Sequence, residues 1–410
     1  MDGQTGARRM SDIVVIGAGQ AGSSLVAKLR ALSHEGKITL IGEEPVPPYQ
    51  RPPLSKKYLL GDMELERLYL RPESFYAGNG IELLTGTPVQ SIDRTRKVVV
   101  TADREISYDK LALTTGSVPR CLPAAVGGGL AGVHVVRTLK DVDDMSPAFS
   151  QGKQMLIVGG GYIGLEAAAV AASKGLQVTL IEMAERILQR VAAPETSDYF
   201  RALHASHGVE IREGVGLERL TGKTHVTGAV LSDGTEMAVD VVIAGIGITP
   251  GQALAEAAGL EILNGIKTDM QGRTSDPDIY AAGDCASLPY RGQQIRLESV
   301  QNAIDQAELV AENMMGADKD YVPKPWFWSD QFDVKLQIAG LNLGYDKVVQ
   351  RGEGASMSIW YYGGDTLLAV DAMNDPRGYM IGKRLIEAGK SPDPAVIADP
   401  EADLKPLLKA

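Results

Sequence analysis

One pattern of apolar and polar positions occurs twice along the chain. Ile13-Val-Val-Ile-Gly-Ala-Gly-Gln-Ala-Gly22 returns as Met155-Leu-Ile-Val-Gly-Gly-Gly-Tyr-Ile-Gly164. In each copy a short, uninterrupted apolar run turns on glycines and enters an alanine-rich stretch of helical character, Ser23 to Leu32 and Leu165 to Lys174. A second apolar run follows, Ile38-Thr-Leu-Ile41 and Val178-Thr-Leu-Ile181, and each unit closes on an acid, Glu43 or Glu182. Uninterrupted apolar runs suit strands covered on both faces, so each copy predicts strand, turn, helix and parallel strand. Two copies predict two nucleotide folds.

Between the copies lies β-rich sequence, Lys97-Val-Val-Val-Thr101 and then Leu111-Ala-Leu-Thr-Thr-Gly-Ser117. After the second come Val241-Val-Ile-Ala-Gly-Ile-Gly247 and the Gly283-Asp284 turn. The texture changes near Asp320: Pro323-Lys-Pro-Trp-Phe-Trp328 opens a stretch of alternating strand-like runs, Met357 to Tyr362 and Thr366 to Val370, set off by glycines. The fold class is therefore α/β, two Rossmann-like nucleotide-binding domains followed by a C-terminal α+β domain. The last of these is expected over 323–410.

Composition narrows the function. A length of 410 residues suits two or three domains, and 46 glycines without a collagen period suit a fold of tight turns. The net charge of -11 speaks against a general nucleic-acid or anionic-membrane role, which needs clustered cations. No segment has the apolar length of a membrane span. The polar opening, Met1 to Arg9, reads as a loose tail with an alternative start at Met10, not as a signal peptide. The two cysteines, Cys121 and Cys285, form no CxxC and can build neither a disulfide framework nor a zinc site, so a reducing cytoplasm is the expected compartment.

Gly17, Gly19 and Gly22 have the spacing of a dinucleotide fingerprint. The first permits the tight turn, the second lets backbone approach a pyrophosphate, and the third packs helix on strand. Gln20 and Ala21 lie within the turn, and the N-terminus of the helix that follows supplies N–H groups that favour phosphate. Glu43 stands where a carboxylate accepts from ribose hydroxyls. In the second copy Gly159, Gly161 and Gly164 surround Tyr162 and Ile163, and Glu182 takes the acid's place. An acid there accepts from a free 2'-hydroxyl and repels a 2'-phosphate, which favours NADH over NADPH. Arg186 and Arg190, shortly afterwards, weaken that inference unless they are ordinary solvated charges.

Four further blocks are more specific: Tyr49-Gln-Arg-Pro-Pro-Leu-Ser-Lys-Lys57, Gly159-Gly-Gly-Tyr-Ile-Gly-Leu-Glu166, Ile279-Tyr-Ala-Ala-Gly-Asp284 and Glu298-Ser-Val-Gln-Asn-Ala303. With Trp326-Phe-Trp-Ser-Asp-Gln331 they make the chain resemble, over nearly its whole length, the NADH-dependent ferredoxin reductases of bacterial oxygenase systems. The resemblance implies a glutathione reductase-type fold, an FAD-binding domain in two pieces (11–117 and 249–322) with an NAD-binding domain (118–248) inserted between them and a C-terminal domain against the flavin, that binds FAD and uses NADH as hydride donor. It implies a 2Fe-2S ferredoxin as partner and, indirectly, an oxygenase. Gly17, Gly19, Gly22 and Glu43 would hold the adenosine half of FAD, with Val89 as a backbone contact to adenine. Arg51 and Lys56 would reach toward pyrophosphate and flavin, and Arg137, Thr115, Gly116, Gly283 and Asp284 would add contacts. Val300, behind Ser299 at a helix start, would offer its backbone to the pyrimidine edge. Gly247 would belong to the NAD side.

The cofactor carries the chemistry in such an enzyme; the protein stacks the rings, excludes water and tunes the potential. By resemblance, Lys56 and Glu166 lie near the flavin N5, the lysine steadying negative charge on the reduced ring and the glutamate holding the lysine. Trp328 would pack the ring, the rival reading being plain core. The absence of a redox dithiol after Glu43 argues against a disulfide reductase, and Cys285 reads as a small buried hydrophobe. His204 and His207, three apart on an expected helix, read as a solvated face with no third metal ligand in view. Asp284 has a helix N-cap as its rival role. Lys57, Arg291, Arg296 and Lys335 are candidate cations for docking an acidic ferredoxin. Alternatives on the same scaffold are an NADH oxidase or other small-carrier reductase, and a redox-sensing flavoprotein like apoptosis-inducing factor.

Overall fold

The computed structural model describes residues 11–409, so the expected tail and the alternative start at Met10 lie outside the described residues. The chain forms two compact units. Among the described residues, one comprises those up to Gln50 with Glu66–Val118 and Thr249–Pro323; the other comprises Arg51–Leu65, Pro119–Ile248 and the residues from Lys324 onward.

The first unit is built on a five-stranded parallel sheet. Its central strand β1 (Ile13–Ile16) is flanked by β2 (Ile38–Ile41) and by Lys110–Leu113, with Ile81–Leu84 and Ile279–Ala281 at the two edges. All four residues of β1 and of β2 are buried, as continuous apolar strands must be when helices cover both faces. Helix α1 (Gln20–Ala31) lies against helix Val300–Met314, and Leu25, Val26 and Leu29 share a core with Val310 and Met314. Lys28 ties the two helices on their outer side through Glu312, at 2.9 Å. The chain reverses direction across the sheet between β1 and Lys110–Leu113, and ligands of open α/β sheets bind at the carboxyl ends of strands at such a point.

The second unit repeats this arrangement. Strand β3 (Gln154–Val158) lies between β4 (Gln177–Glu182) and Val241–Ala244, with Glu210–Glu213 and Val133–His134 outside them, again all parallel. Helix α2 (Tyr162–Ser173) connects β3 to β4 and is almost wholly buried, as its alanines and absence of charge outside Glu166 require. Helix α3 (Pro194–Ser206) follows. The same unit contains the C-terminal sheet, five antiparallel strands that begin with β5 (Trp326–Gln331), covered by helix Pro376–Glu387. Trp360, Tyr362, Val370, Ile381 and Leu385 form its core. This is the expected α/β plus α+β architecture.

Candidate functional site

The two glycine turns are superposable in their hydrogen bonds. Gly17 N–H donates to Ile41 O, and Gly159 N–H donates to Ile181 O, each at 2.8 Å. Both first glycines have φ of +110°, where an L side chain is strained. A Cβ on Gly17 would lie 2.2 Å from Thr114 O, and one on Gly159 would lie 2.4 Å from Gly245 O. The third glycines, Gly22 and Gly164, face the carbonyls of the first, each leaving 2.1 Å for a Cβ. The second glycines differ in kind: nothing stands within 4 Å of a Cβ on Gly19 or Gly161. Each is a helix N-cap without a side-chain cap, so the first N–H groups of a twelve-residue helix open onto free space. Two glycines are thus required by protein packing and the one between them by something that is not protein, which is the fit expected for a pyrophosphate.

The sheets gather the other sequence-derived positions. In the first unit Gly17, Thr115 with Gly116, and Gly283 with Asp284 follow the carboxyl ends of three adjacent strands, and Glu43 follows β2. Asp284 is no helix cap: its Oδ2 accepts from Ser117 Oγ at 2.9 Å, and a strand follows it. Gly283, with φ of +82°, brings the backbone to Ala21 of α1. Glu43 is exposed and makes no hydrogen bond among the described residues. Ser299 caps helix Val300–Met314 by accepting from Asn302 N–H at 3.2 Å, so Val300 does stand at a helix start. Val89 begins strand Val89–Asp93.

In the second unit Glu182 ends β4 and turns back on the glycine turn. Its Oε2 accepts from Gly160 N–H at 2.7 Å and its Oε1 from Ala184 N–H at 2.8 Å. Gly247 follows Val241–Ala244. Arg51 Nη1 donates to Arg137 O at 2.6 Å, joining two residues 86 apart in sequence. Arg186 is neither a phosphate clamp nor a solvated charge: it bonds Ser197 Oγ at 2.6 Å and Ala192 O at 2.9 Å, closing the loop ahead of α3. Arg190 stays exposed.

The Lys56 side chain, 15% exposed, lies 3.1 Å from Glu166 Oε1 and 3.3 Å from Asp330 Oδ2. Its Nζ is 5.8 Å from the Trp328 ring centroid, and Trp328 is half-buried beside Trp326 rather than part of a core. Glu166 is fully enclosed. Burial pushes its carboxyl above the usual range, opposed by Lys56 and by hydroxyls of Ser329 and Ser55, which donate at 2.7 and 2.8 Å. A simple register builds this cluster. Residues four apart on a helix advance about 6 Å, and residues two apart on a strand about 6.6 Å. Tyr162 and Glu166 of α2 therefore meet Phe327 and Ser329 of β5 in step, Tyr162 against the Phe327 ring at 5.1 Å.

Ser55, Ser329, Asp330 and Gln331 were not read from sequence as functional, although each sits in a block quoted above. The available signal was the period of two in β5, which sets polar Ser329 and Gln331 on the face of half-buried Phe327. The solvated-face reading of His204 is wrong: the ring is 0% exposed and its Nε2 lies 2.8 Å from Gln331 Oε1. His207, the C-cap of α3, is exposed and stacks on Phe332 with centroids 3.8 Å apart. No group of three or more residues able to hold a metal occurs among the described residues. Arg296 is not free to dock a partner, because it is bonded to Asp284 O and Glu298 and its side chain is 10% exposed.

Residues 11–307 match the pyridine nucleotide-disulphide oxidoreductase family, and 326–408 match the reductase C-terminal family. The chain belongs to the pyridine nucleotide-disulphide oxidoreductases. Putidaredoxin reductase of Pseudomonas putida is 41% identical, with 97% of each chain covered, and rhodocoxin reductase of Rhodococcus erythropolis is 40% identical, covering 96% of this chain and 93% of its own. Among solved structures, the reductase of the covalent putidaredoxin reductase–putidaredoxin complex superposes with a TM-score of 0.94 at 39% identity, covering 97% of this chain and 98% of its own. A ferredoxin reductase from Rhodopseudomonas palustris gives 0.93 at 40% identity, covering 96% and 99%. The cofactors of this pyridine nucleotide oxidoreductase are FAD and NAD(H), and the two open glycine turns fit them. Despite the family's name it carries no dithiol: Cys121 is exposed, Cys285 is buried, and both are free. Burial pushes the Cys285 thiol up, which suits a packing residue and not a nucleophile. No helix among the described residues is long and apolar enough to cross a membrane.

Proposed function

We propose that the protein is a cytoplasmic NADH-dependent ferredoxin reductase that moves electrons from NADH through FAD to a 2Fe-2S ferredoxin supplying a monooxygenase or dioxygenase. The observation that carries this reading is the buried Lys56–Glu166 pair, set one helical turn beyond the second glycine turn, in a chain without a redox dithiol. Bound FAD supplies the redox chemistry, taking two electrons together and giving them up singly.

Every other contribution belongs to the chain. Gly19 and the start of α1 receive the FAD pyrophosphate, and Glu43, free of protein partners, accepts from the adenosine ribose. The family resemblance assigns Arg51, Arg137, Asp284 and the backbone at Val300 to the rest of FAD. Gly161 and α2 receive the NADH pyrophosphate. Glu182 is fixed by two backbone N–H groups, keeps lone pairs for a ribose diol and repels a 2'-phosphate. Lys56 holds positive charge toward the flavin N5, Glu166 and Asp330 hold Lys56, and Trp328 covers the ring edge and excludes water.

A carrier screen tests this. The purified protein should show a flavin spectrum, bleach with NADH far faster than with NADPH, and reduce cytochrome c only when a 2Fe-2S ferredoxin is added. Rubredoxin belongs in the panel, because a rubredoxin-NAD(+) reductase of Pseudomonas putida is 38% identical over 371 residues. Fast turnover with a disulfide, or carrier-free reduction of oxygen, would sink the proposal.

A further inference from the structure

Glu166 poses a problem that its ion pair does not solve. The residue is 3% exposed, and an enclosed carboxylate keeps its charge only when its lone pairs are met by donors. Ser55 Oγ occupies Oε2, while Oε1 receives Lys56 and Ser329 Oγ.

Beyond Ser329 the directions of the hydrogen bonds are forced. The serine has one proton and spends it on Glu166, so its Oγ can only accept, and it does so from Gln331 Nε2 at 3.1 Å. That turns the amide oxygen of Gln331 away, onto His204 Nε2 at 2.8 Å. A carbonyl oxygen cannot donate, so the imidazole carries its proton on Nε2. His204 Nδ1 is buried without a partner among the described residues, and burial holds the ring neutral, its pKa pushed down to about 4. Ser329, Gln331 and His204 are each 0% exposed. Three donors therefore line up head to tail and all point at one carboxylate. Such a row polarises along its length and strengthens its last bond.

We propose that Ser329, Gln331 and His204 are positioning residues, a one-directional hydrogen-bond row that keeps Glu166 ionised and so keeps Lys56 in place. The proposal deepens the reading of Lys56 and Glu166 as the flavin-facing pair and rests on it. The charged and titratable groups bearing on the row are Lys56 and Asp330 at the carboxylate end and His204 with exposed His207 at the other. An apolar strand-to-helix contact would serve packing alone without burying three polar side chains. The row is explained by the carboxylate at its end.

The test follows the infrared band of the protonated Glu166 carboxyl against pH in the FAD-loaded protein, assigned by its loss in Glu166→Gln. Ser329→Ala should raise the pH at which the band appears by about one unit, tenfold in proton affinity, as expected for losing one bond to a charged group. His204→Phe should raise it by roughly threefold in proton affinity, through the polarisation it removes. Ser329→Thr and His204→Gln keep the donors and should restore the native profile. A band that stays in place in both Ser329→Ala and His204→Phe overturns the proposal. Nitrogen NMR of histidine-labelled native protein needs no variant: His204 should be neutral and protonated on Nε2, and the Nδ1 tautomer would overturn the row equally. The flavin midpoint potential of Lys56→Met tests the underlying reading separately. An unchanged potential there removes the flavin-facing role, whatever the infrared band shows about the row.

Discussion

The two glycine turns have the same backbone and different duties. Their first glycines share φ, the hydrogen bond to the neighbouring strand and the same crowding behind them. They diverge in the side chains around the turn. Glu43 is exposed and makes no hydrogen bond among the described residues, whereas Glu182 is braced by the Gly160 and Ala184 N–H groups. Counting from the turn, Glu166 of α2 corresponds to Ser24 of α1. Ser24 merely accepts from Gln20 Nε2 at 3.3 Å, while Glu166 collects Lys56, Ser55 and Ser329. The shared turn geometry suits a dinucleotide in both units; the residue one helical turn later is where the two units differ in kind.

The sharpest break of this comparison is a methyl group on each first glycine. Gly17→Ala should yield colourless protein, with FAD affinity down at least ~100-fold, because the Cβ would overlap Thr114 O at a strained φ. Gly159→Ala should stay yellow and lose NADH-driven bleaching by a similar factor. Visible spectra and stopped-flow bleaching separate the two, and a yellow Gly17→Ala protein would show that the turns had been assigned the wrong way round.

Next comes acid stability around the second turn. Burial depresses the His204 pKa from 6.5 to about 4, so the unfolded chain binds the extra proton between those values. Stability should therefore fall as pH drops from about 6.5 to about 4 and level off below, a loss of ~3 kcal/mol from this residue. Denaturant titrations of His204→Phe should lack that slope.

Smaller still, Glu166→Gln should slow flavin reduction by roughly 30-fold while leaving NADH affinity within about twofold, as expected when transition-state charge loses its support. Ser24→Ala, its counterpart in α1, should change neither. Equal losses in both would mean that Glu166 acts only through folding.

The smallest pair concerns the acids. Glu43→Ala should weaken FAD about tenfold without moving the FAD-free melting temperature, since no protein bond is lost. Glu182→Ala should weaken NADH about tenfold, lower its advantage over NADPH, and cost ~1–3 kcal/mol of stability by orphaning two backbone N–H groups. Calorimetry with and without nucleotide distinguishes them.

Much of this was legible in the chain. The two apolar runs, the glycine spacing and the closing acids carried enough local information to place both nucleotide units, because strand, turn, helix and strand follow one another without interruption, although the crowding behind Gly17 and Gly159 comes from distant Thr114 and Gly245. The C-terminal α+β domain was visible in the alternation of its strands. His204 was misread because a histidine three residues from another on an amphipathic helix looks solvated, and nothing nearby in sequence announces the strand that covers it. Arg186 was misjudged for a similar reason, its partners being the backbone of a loop that only the fold closes.

By itself, then, the sequence determined two dinucleotide turns, the acid closing each, the absence of a dithiol, and, through resemblance, the pairing of Lys56 with Glu166. The tertiary structure decided the state of that pair. Ser55, Ser329 and His204 lie 111, 163 and 38 positions from Glu166 along the chain. Local propensity does not record such separations. Only the tertiary structure brings Ser55 and Ser329 onto one buried carboxylate and sets His204 behind Ser329 through Gln331, the stacking of β5 on α2 with matching rises of about 6 Å supplying Ser329.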